Sequence, residues 1–326
     1  MSIMFSSSNF TPNLAKAPFE DSRADIILRS SDNVNFRVFK IILSLASPVF
    51  AQKFSTPQSA THKPTDELPV VTVSEDSQAL DLALRHCYPT RSPELVELKD
   101  AHILLEFAHK YQVDALCPSL TRYLTSAIER DPVSAYTLAT KYQYKDVAMA
   151  AARSCLKLPV SRLRSGVLHC ITGEEYRALV EYHTSCGVAA SAITLERKWF
   201  PPGNKLFSTA PTKPSTKPGS DSGCASCMMR DFLHDMPPTS PGHFTFSLSA
   251  PRSLWSYLHR SAVVLAHHPS AEAVMDEAFV LKGLDCAVCL TNRQADMLQF
   301  SRVFADEIIK AIEKVIGYSA SFVAEA

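Results

Sequence analysis

Two pairs of cysteines are the residues of this chain with the clearest ligand chemistry. Cys224 and Cys227 form one C-x-x-C knuckle, and Cys286 and Cys289 form a second. Each knuckle can offer two thiolates to one ion, and four thiolates match the closed tetrahedral shell of a structural zinc site. The pattern predicts one structural zinc ion held by these four cysteines.

The long separation of the knuckles leaves other interpretations open. Residues 228–285 lie between them, far more than in a compact zinc ribbon, and neither knuckle has the Gly or aromatic neighbours that sharpen such motifs. One alternative is that the four thiols are free. Dithiol redox chemistry is less favoured, because no βαβ pattern surrounds either pair. A zinc-dependent hydrolase is also disfavoured, because it would need an open coordination position that four cysteines close.

Other His and Cys residues are explained as well by packing as by chemistry. His183 and Cys186 have metal-ligand spacing but supply too few ligands, and the end of an amphipathic helix accounts for them. His267 and His268 indicate a solvated helix end. Three cysteines at apolar helical positions are predicted to be small core residues, namely Cys87, Cys117 and Cys155.

No grouping of residues in the sequence predicts catalysis. The chain has 9 Gly and no phosphate-binding Gly motif, and it has no G-x-S-x-G turn. No nucleophile, base and orienting group can be placed together from the sequence. We therefore expect an interaction protein rather than an enzyme.

Composition limits the class of partner and the compartment. Among 326 residues, 33 Lys and Arg balance 33 Asp and Glu, so net charge predicts neither direct nucleic-acid binding nor an acidic tail. The first ten residues have no signal-peptide pattern, and no apolar run approaches the roughly 18 residues of a membrane span. Nine cysteines without a secretion signal argue against a disulfide framework. A cytoplasmic or nuclear protein that is not secreted and not in a membrane is expected.

The element around which the chain is organised begins with a hairpin pattern. Residues 25–28 and 36–40 are two short β-rich runs with turn residues between them. Residues 41–45 follow as an apolar run that predicts a buried helix. The sequence Ser47-Pro48-Val49-Phe50 then marks a corner, and residues 70–73 predict another short strand.

Three helical patterns complete this part of the chain. Residues 77–88 carry apolar residues at helical spacing and end at Tyr88-Pro89. Residues 100–110 place their apolar residues on one face and run into Lys110-Tyr111-Gln112-Val113. A third helix is predicted over residues 116–128. Together these faces are sufficient to bury a core.

These separated features resemble a BTB (POZ) domain over residues 20–130, of the type found in fungal proteins. The resemblance is carried by the strand led by Asp25, the Ser-Pro-x-Phe corner, the Tyr88-Pro89 helix end and the Lys110-Tyr111-Gln112-Val113 signature. One departure is Phe39, which precedes Lys40 where the family usually has a His. We interpret Phe39 as a core aromatic.

The resemblance implies a protein-protein interaction module. It points to an adaptor that recruits targets to a cullin-type ubiquitin ligase, with a cullin as partner, and the alternative is a transcriptional or assembly scaffold. BTB dimers usually exchange an N-terminal element. Residues 1–19 lack an amphipathic segment that could serve, so they are predicted to be a loose leader and a homodimer is not favoured.

The rest of the chain is predicted to be mainly helical. Residues 131–200 form a helical extension that begins at Asp131-Pro132 with two paired helices, over residues 133–142 and 145–158. Thr172-Gly173-Glu174-Glu175 is a capping box that opens a further helix. Helices directly after a BTB domain resemble the extension that helps family members hold a cullin.

The composition changes at Pro201. Residues 201–250 are proline-rich, with a mild excess of Lys, and are predicted to be a linker or insertion that carries the first cysteine pair. Residues 251–326 are predicted to be a C-terminal helical module that carries the second pair, with a helical pattern over residues 271–280 and a capping box at Thr291-Asn292-Arg293-Gln294 before its last helix. The predicted fold class is α+β: a small sheet with helices, then an all-α extension and a helical module.

Overall fold

The computed structural model of the protein describes residues 13–55, 68–89, 93–196, 198–200, 228–231, 248–285 and 287–323. The chain divides into two compact units, residues 1–148 and 149–326. The division predicted from the sequence, with a first part that ends near residue 130 and three further segments, is finer than this one and stays a prediction.

The first unit contains a small mixed sheet. Its strands are β1 (Asn13–Leu14), β2 (Ile26–Arg29), β3 (Val34–Val38) and β4 (Val70–Thr72), in the order β1-β3-β2-β4. Strands β2 and β3 form the predicted hairpin and pair antiparallel, with Ile26 opposite Val38, whereas β1 and β4 add in parallel at the two edges. Side chains of β2 alternate, with Ile26 and Leu28 buried, because successive residues of a strand point to opposite faces.

Helices cover this sheet and build the rest of the unit. They are α1 (Lys40–Ala46), α2 (Pro48–Ser55), α3 (Ser77–Cys87), α4 (Leu98–Tyr111), α5 (Cys117–Ala127), α6 (Pro132–Lys141) and the start of α7 (Lys145–Cys155). Asp76 caps α3 by accepting a hydrogen bond from the N–H of Ala79 at 2.8 Å. Asp131 caps α6 in the same way through Ser134, and Pro132 occupies its first turn. The paired helices predicted after residue 130 are therefore present, although α7 ends at Cys155.

Residues 13–19 belong to the folded part of the first unit, which corrects the prediction of a loose leader over residues 1–19. Strand β1 pairs with β3, and the Phe19 side chain is fully buried. The ring of Phe19 packs edge-on against Tyr88, with 5.3 Å between ring centroids, and also contacts Phe36. Two prolines and many polar residues in this segment led to the prediction of a loose leader, although Phe19 is buried. Residues 1–12 lie outside the described residues.

The second unit is mainly helical. Its described elements beyond α7 are α8 (Gly173–Ala192), β5 (Met228–Asp231), β6 (Leu248–Pro251), α9 (Arg252–His267), α10 (Glu272–Met275), α11 (Glu277–Leu281) and α12 (Ala287–Val323). Phe300 and Phe304 of α12 are fully buried and lie against Tyr257 of α9. Trp199 stacks on Phe304, with 5.3 Å between ring centroids. This aromatic cluster is the centre of the core.

Two helix starts in the second unit test the capping predictions. The box at Thr172 is confirmed, because its hydroxyl accepts from the N–H of Glu175 and the Glu175 carboxylate accepts from the N–H of Thr172. The box at Thr291 is wrong. Helix α12 already begins at Ala287, and the Thr291 hydroxyl donates to the carbonyl of Ala287 inside the helix.

One further prediction for the second unit needs correction. The helical pattern over residues 271–280 breaks into α10 and α11 at Asp276. Its backbone is not helical, with ψ at 130°, and its carboxylate caps α11 through the N–H of Phe279. Strands β5 and β6 pair antiparallel and lie mostly in the segment predicted to be a linker or insertion. A composition dominated by proline does not reveal two four-residue strands that are far apart. In the part of the chain that the structure describes, no helix combines the length and apolar character needed to cross a membrane.

Candidate interaction surfaces

The start of helix α1 is fixed by two hydrogen bonds from outside the helix. The Asp25 carboxylate accepts from the N–H of Lys40 at 2.7 Å, and the N–H of Phe39 donates to the hydroxyl of Tyr88 at 2.9 Å. These bonds satisfy N–H groups that a helix start leaves without an internal partner. The Phe39 side chain is half-buried rather than a fully buried core aromatic.

Helix α1 exposes an apolar face. Ile41 and Leu45 are 63% and 82% exposed, although the intervening Leu43 is fully buried. The two exposed residues are four positions apart and so lie on one side of the helix. The prediction of a buried helix over residues 41–45 is therefore right for its inner side only. We call Ile41 and Leu45 the α1 face.

A cluster of aromatic rings joins helix α2 to helix α4. Phe50 stacks on Tyr111 with 4.4 Å between centroids, and the Ser47 hydroxyl donates to the carbonyl of Tyr111. The Tyr111 hydroxyl donates to Glu75 at 2.8 Å, and the Lys110 ammonium donates to the same carboxylate at 2.5 Å. Burial alone would raise the pKa of Glu75. These two hydrogen bonds, a backbone hydrogen bond and the charge of Lys110 together outweigh burial and lower the pKa.

A small open cleft lies between the chain just before α4 and the end of α5. Its lining residues are Val96, Leu98, Tyr123, Ala127 and Arg130. Ala127 is buried, whereas Val96 is 70% exposed at the rim. The Tyr123 hydroxyl donates to the carbonyl of Val96 at 3.1 Å and fixes the segment that forms one wall. We call these five residues the α5 cleft. Its chemistry is an apolar depression beside an exposed guanidinium.

The helix that follows the cleft is packed rather than exposed. Residues Pro132 to Ala139 of α6 are all buried. The part of α6 that could contact a partner is therefore small.

The predicted zinc ligands fall almost wholly outside the described residues. Cys224, Cys227 and Cys286 lie outside them, and Cys289 lies in the first turn of α12 with a buried side chain. Among the residues with described positions, no group of three or more His, Cys, Asp or Glu side chains is placed to hold a metal ion. The zinc site thus stays a prediction.

The remaining His and Cys candidates lie where packing explains them. His183 and Cys186 are buried in α8, and His183 Nε2 donates to the carbonyl of Leu158 at 2.8 Å. Burial lowers the pKa of His183, which favours the neutral ring. His267 is exposed at the last residue of α9. Cys155 is buried, while Cys87 and Cys117 are half-buried.

Sequence reasoning missed both surfaces of the first unit. The exposure of the α1 face had a weak signal, since Ile41 and Leu45 have helical spacing but sit in an uninterrupted apolar run. The α5 cleft had none, because it joins Val96 to Tyr123 and Arg130 through a tertiary contact. Neither surface shows a nucleophile or metal-binding group, and both have the character of protein-binding surfaces.

Comparison with known protein families gives one finding. Residues 16–128 match the family model of the BTB/POZ domain, which confirms the resemblance over residues 20–130. A comparison with curated proteins gives no match. The first unit therefore contains a BTB/POZ domain, a small mixed sheet with helices, followed by a mostly helical region. A BTB/POZ domain is a protein-protein interaction module.

Proposed function

We propose that this protein is an adaptor that recruits targets to a cullin-type ubiquitin ligase. The observation that carries the proposal is the BTB/POZ domain at residues 16–128, continued directly by α6 and α7. In this proposal the BTB/POZ domain binds a cullin and the second unit selects the target. The likeness to fungal BTB proteins and a place of action in the cytoplasm or nucleus are parts of the same proposal.

The α5 cleft is the surface we assign to the cullin. Its apolar lining can receive an aliphatic or aromatic side chain, and Arg130 at its edge can pair with a carboxylate beside that side chain. Because the Tyr123 hydroxyl already holds the segment around Val96, the cleft is formed before the partner arrives. A preformed cleft lowers the ordering cost of binding.

The experiment compares two Val→Asp variants of the full-length protein. Val96 in the cleft and Val188 on α8 are 70% and 65% exposed, so each variant places a charge at a similarly exposed position. We expect Val96→Asp to weaken binding to a purified cullin by about tenfold or more, because a carboxylate in the apolar rim is desolvated on binding. Val188→Asp should bind as the wild type does.

Two results would contradict this assignment. If wild-type protein binds none of a panel of purified cullins while a known adaptor does, the adaptor function is wrong. If it binds but Val96→Asp has the wild-type affinity, the cleft is not the surface. Self-association of the wild type without cullin binding would favour an assembly scaffold, in which the α1 face joins two copies as a homodimer.

We also propose that Cys224, Cys227, Cys286 and Cys289 hold one structural zinc ion. The burial of Cys289 in the first turn of α12 fits a closed site, since structural zinc is shielded from water. When bound, four thiolates complete a tetrahedral shell, and the binding free energy adds to folding. No step of the adaptor function depends on this ion.

The zinc proposal predicts the behaviour of a single substitution. Cys286→Ser should release the metal and speed proteolysis between residues 224 and 289, while the BTB/POZ domain stays folded. Elemental analysis and limited proteolysis of the full-length protein measure both effects, and Cys117→Ser in the first unit is the matched control. Wild-type protein without stoichiometric zinc would refute the proposal.

A further inference from the structure

A cysteine and a histidine form a hydrogen-bonded pair in the second unit. His169 and Cys170 end a short 3-10 turn over Leu168–Cys170, and Cys170 Sγ lies 3.5 Å from His169 Nε2. His169 Nδ1 is 2.9 Å from the carbonyl oxygen of Gly166. Because a carbonyl oxygen only accepts, Nδ1 carries the ring proton. The neutral ring therefore offers the lone pair of Nε2 to the thiol of Cys170.

This arrangement has the three parts of an activated nucleophile. Cys170 is the nucleophile, His169 is the base within hydrogen-bonding distance, and the Gly166 carbonyl sets the tautomer of the base. The base is exposed and the thiol is half-buried, so a small molecule can reach the sulfur.

Cys186 and Cys87 differ from Cys170 in the pKa of their thiols. Cys186 is buried in α8, and burial raises the pKa of its thiol to about 11. Burial likewise raises the pKa of Cys87 to about 12. Because the thiolate is the reactive form, these thiols are expected to be slow. Cys87 therefore serves as an internal reference for Cys170.

Charge around the pair favours an anionic reagent. Residues 158–172 contain Arg162 and Arg164 but no Asp or Glu, whereas Lys157 just before them is paired with Glu272 at 2.8 Å. Arg162 and Arg164 are exposed. Of the two carboxylates that follow, Glu175 is occupied by its capping box with Thr172 and Glu174 lies 3.5 Å from Arg177. Two exposed guanidinium groups close to the thiol in sequence raise the local concentration of small anions.

We propose that Cys170 is a site of mixed-disulfide formation with small anionic disulfides, with His169 acting as its base. The thiol proton passes from Sγ to His169 Nε2, and the thiolate attacks one sulfur of the reagent. A new disulfide bond forms at Cys170 as the reagent's own bond breaks. The departing thiolate then takes the proton from His169, so Cys170 is oxidised and one half of the reagent is reduced.

The test uses the full-length protein and glutathione disulfide, which carries several carboxylates. Peptide mass spectrometry follows the modification of each cysteine with time. In wild-type protein we expect Cys170 to react at least about tenfold faster than Cys87, and this comparison requires no variant. His169→Gln should slow Cys170 by about tenfold or more, since the base is lost. His259→Gln, at an exposed histidine of α9, is the matched control and should have no effect.

The rate with a neutral disulfide distinguishes the effect of the base His169 from the effect of the nearby positive charges. Replacing both Arg162 and Arg164 by Gln should slow the reaction with glutathione disulfide by several fold and leave the rate with hydroxyethyl disulfide unchanged. Two results would overturn the proposal. One is a Cys170 rate in wild type no greater than that of Cys87. The other is an unchanged Cys170 rate in a folded His169→Gln variant.

Discussion

Glu75 links two parts of the first unit that are far apart in sequence. Its carboxylate accepts from Lys110 and Tyr111 of α4, while its carbonyl accepts from the N–H of Ser31 at the β2–β3 turn. Residue types alone did not indicate this role, because Glu75 stands among other polar residues before α3. The sequence did indicate Asp25, whose carboxylate fixes the start of α1, and Tyr88, whose hydroxyl bonds the N–H of Phe39.

The lowered pKa of Glu75 predicts a pH dependence of stability. A carboxylate whose pKa is lower in the folded than in the unfolded chain stabilises the fold fully above its ordinary value of 4.5. That contribution is lost as the pH falls through the folded value. Glu75→Gln should lower the free energy of unfolding of the first unit at pH 7 by about 1.5–3 kcal/mol, the range for hydrogen bonds to a charged group.

Hydrogen exchange of the first unit in the intact protein, measured at pH 7 and at pH values below 4.5, checks this prediction. The loss of protection on acidification should be smaller in Glu75→Gln than in the wild type. Glu94→Gln, at an exposed carboxylate just before α4, is the control. An equal acid sensitivity of wild type and Glu75→Gln would contradict the assignment.

At the scale of elements, the contact of α8 with α9 depends on one small residue. A Cβ atom at Gly187 would lie 2.6 Å from the carbonyl oxygen of Ala266, which is backbone and cannot move aside easily. The capping box at Thr172 predicted this helix but not the close approach, since the crossing point of two helices is set by tertiary packing.

Gly187→Ala should therefore destabilise the second unit by about 1–3 kcal/mol, because the added methyl group overpacks the crossing. Gly173→Ala in the first turn of α8 is the matched control, since a Cβ there has no atom within 4 Å. It should be neutral or stabilising by up to about 1 kcal/mol. Both tryptophans, Trp199 and Trp255, lie in the second unit, so fluorescence during urea unfolding reports this unit directly. Equal midpoints for the two variants would refute the close contact.

Sequence patterns predicted the longer helices and strands but not the shortest strands. Hairpin strands β2 and β3, helices α3 to α5 and the capping box of α8 follow from local periodicity and side-chain caps, and all are present. Strand β1 and the ribbon of β5 and β6 are two to four residues long. Strands of that length are stabilised by pairing with neighbouring strands, and they are too short to show a hydrophobic alternation in the sequence.

At the scale of the whole molecule, the sequence predicted the class of protein better than its surfaces. Motifs such as Ser47-Pro48-Val49-Phe50 are local, so the BTB/POZ resemblance could be read directly and is confirmed over residues 16–128. The α5 cleft joins residues that are distant along the chain. The exposure of Leu45 depends on how the rest of the first unit packs around α1. Such properties follow only from the assembled fold.

We propose that the first unit alone carries the surface that binds a cullin. The most direct test of this proposal is a calorimetric titration of a cullin with a fragment of residues 13–148, which keeps strand β1 and the buried Phe19, beside the full-length protein. We predict that the fragment unfolds cooperatively and binds with a Kd within about threefold of the full-length value, a difference below 1 kcal/mol. A folded fragment that fails to bind a cullin that the full-length protein binds would contradict the claim.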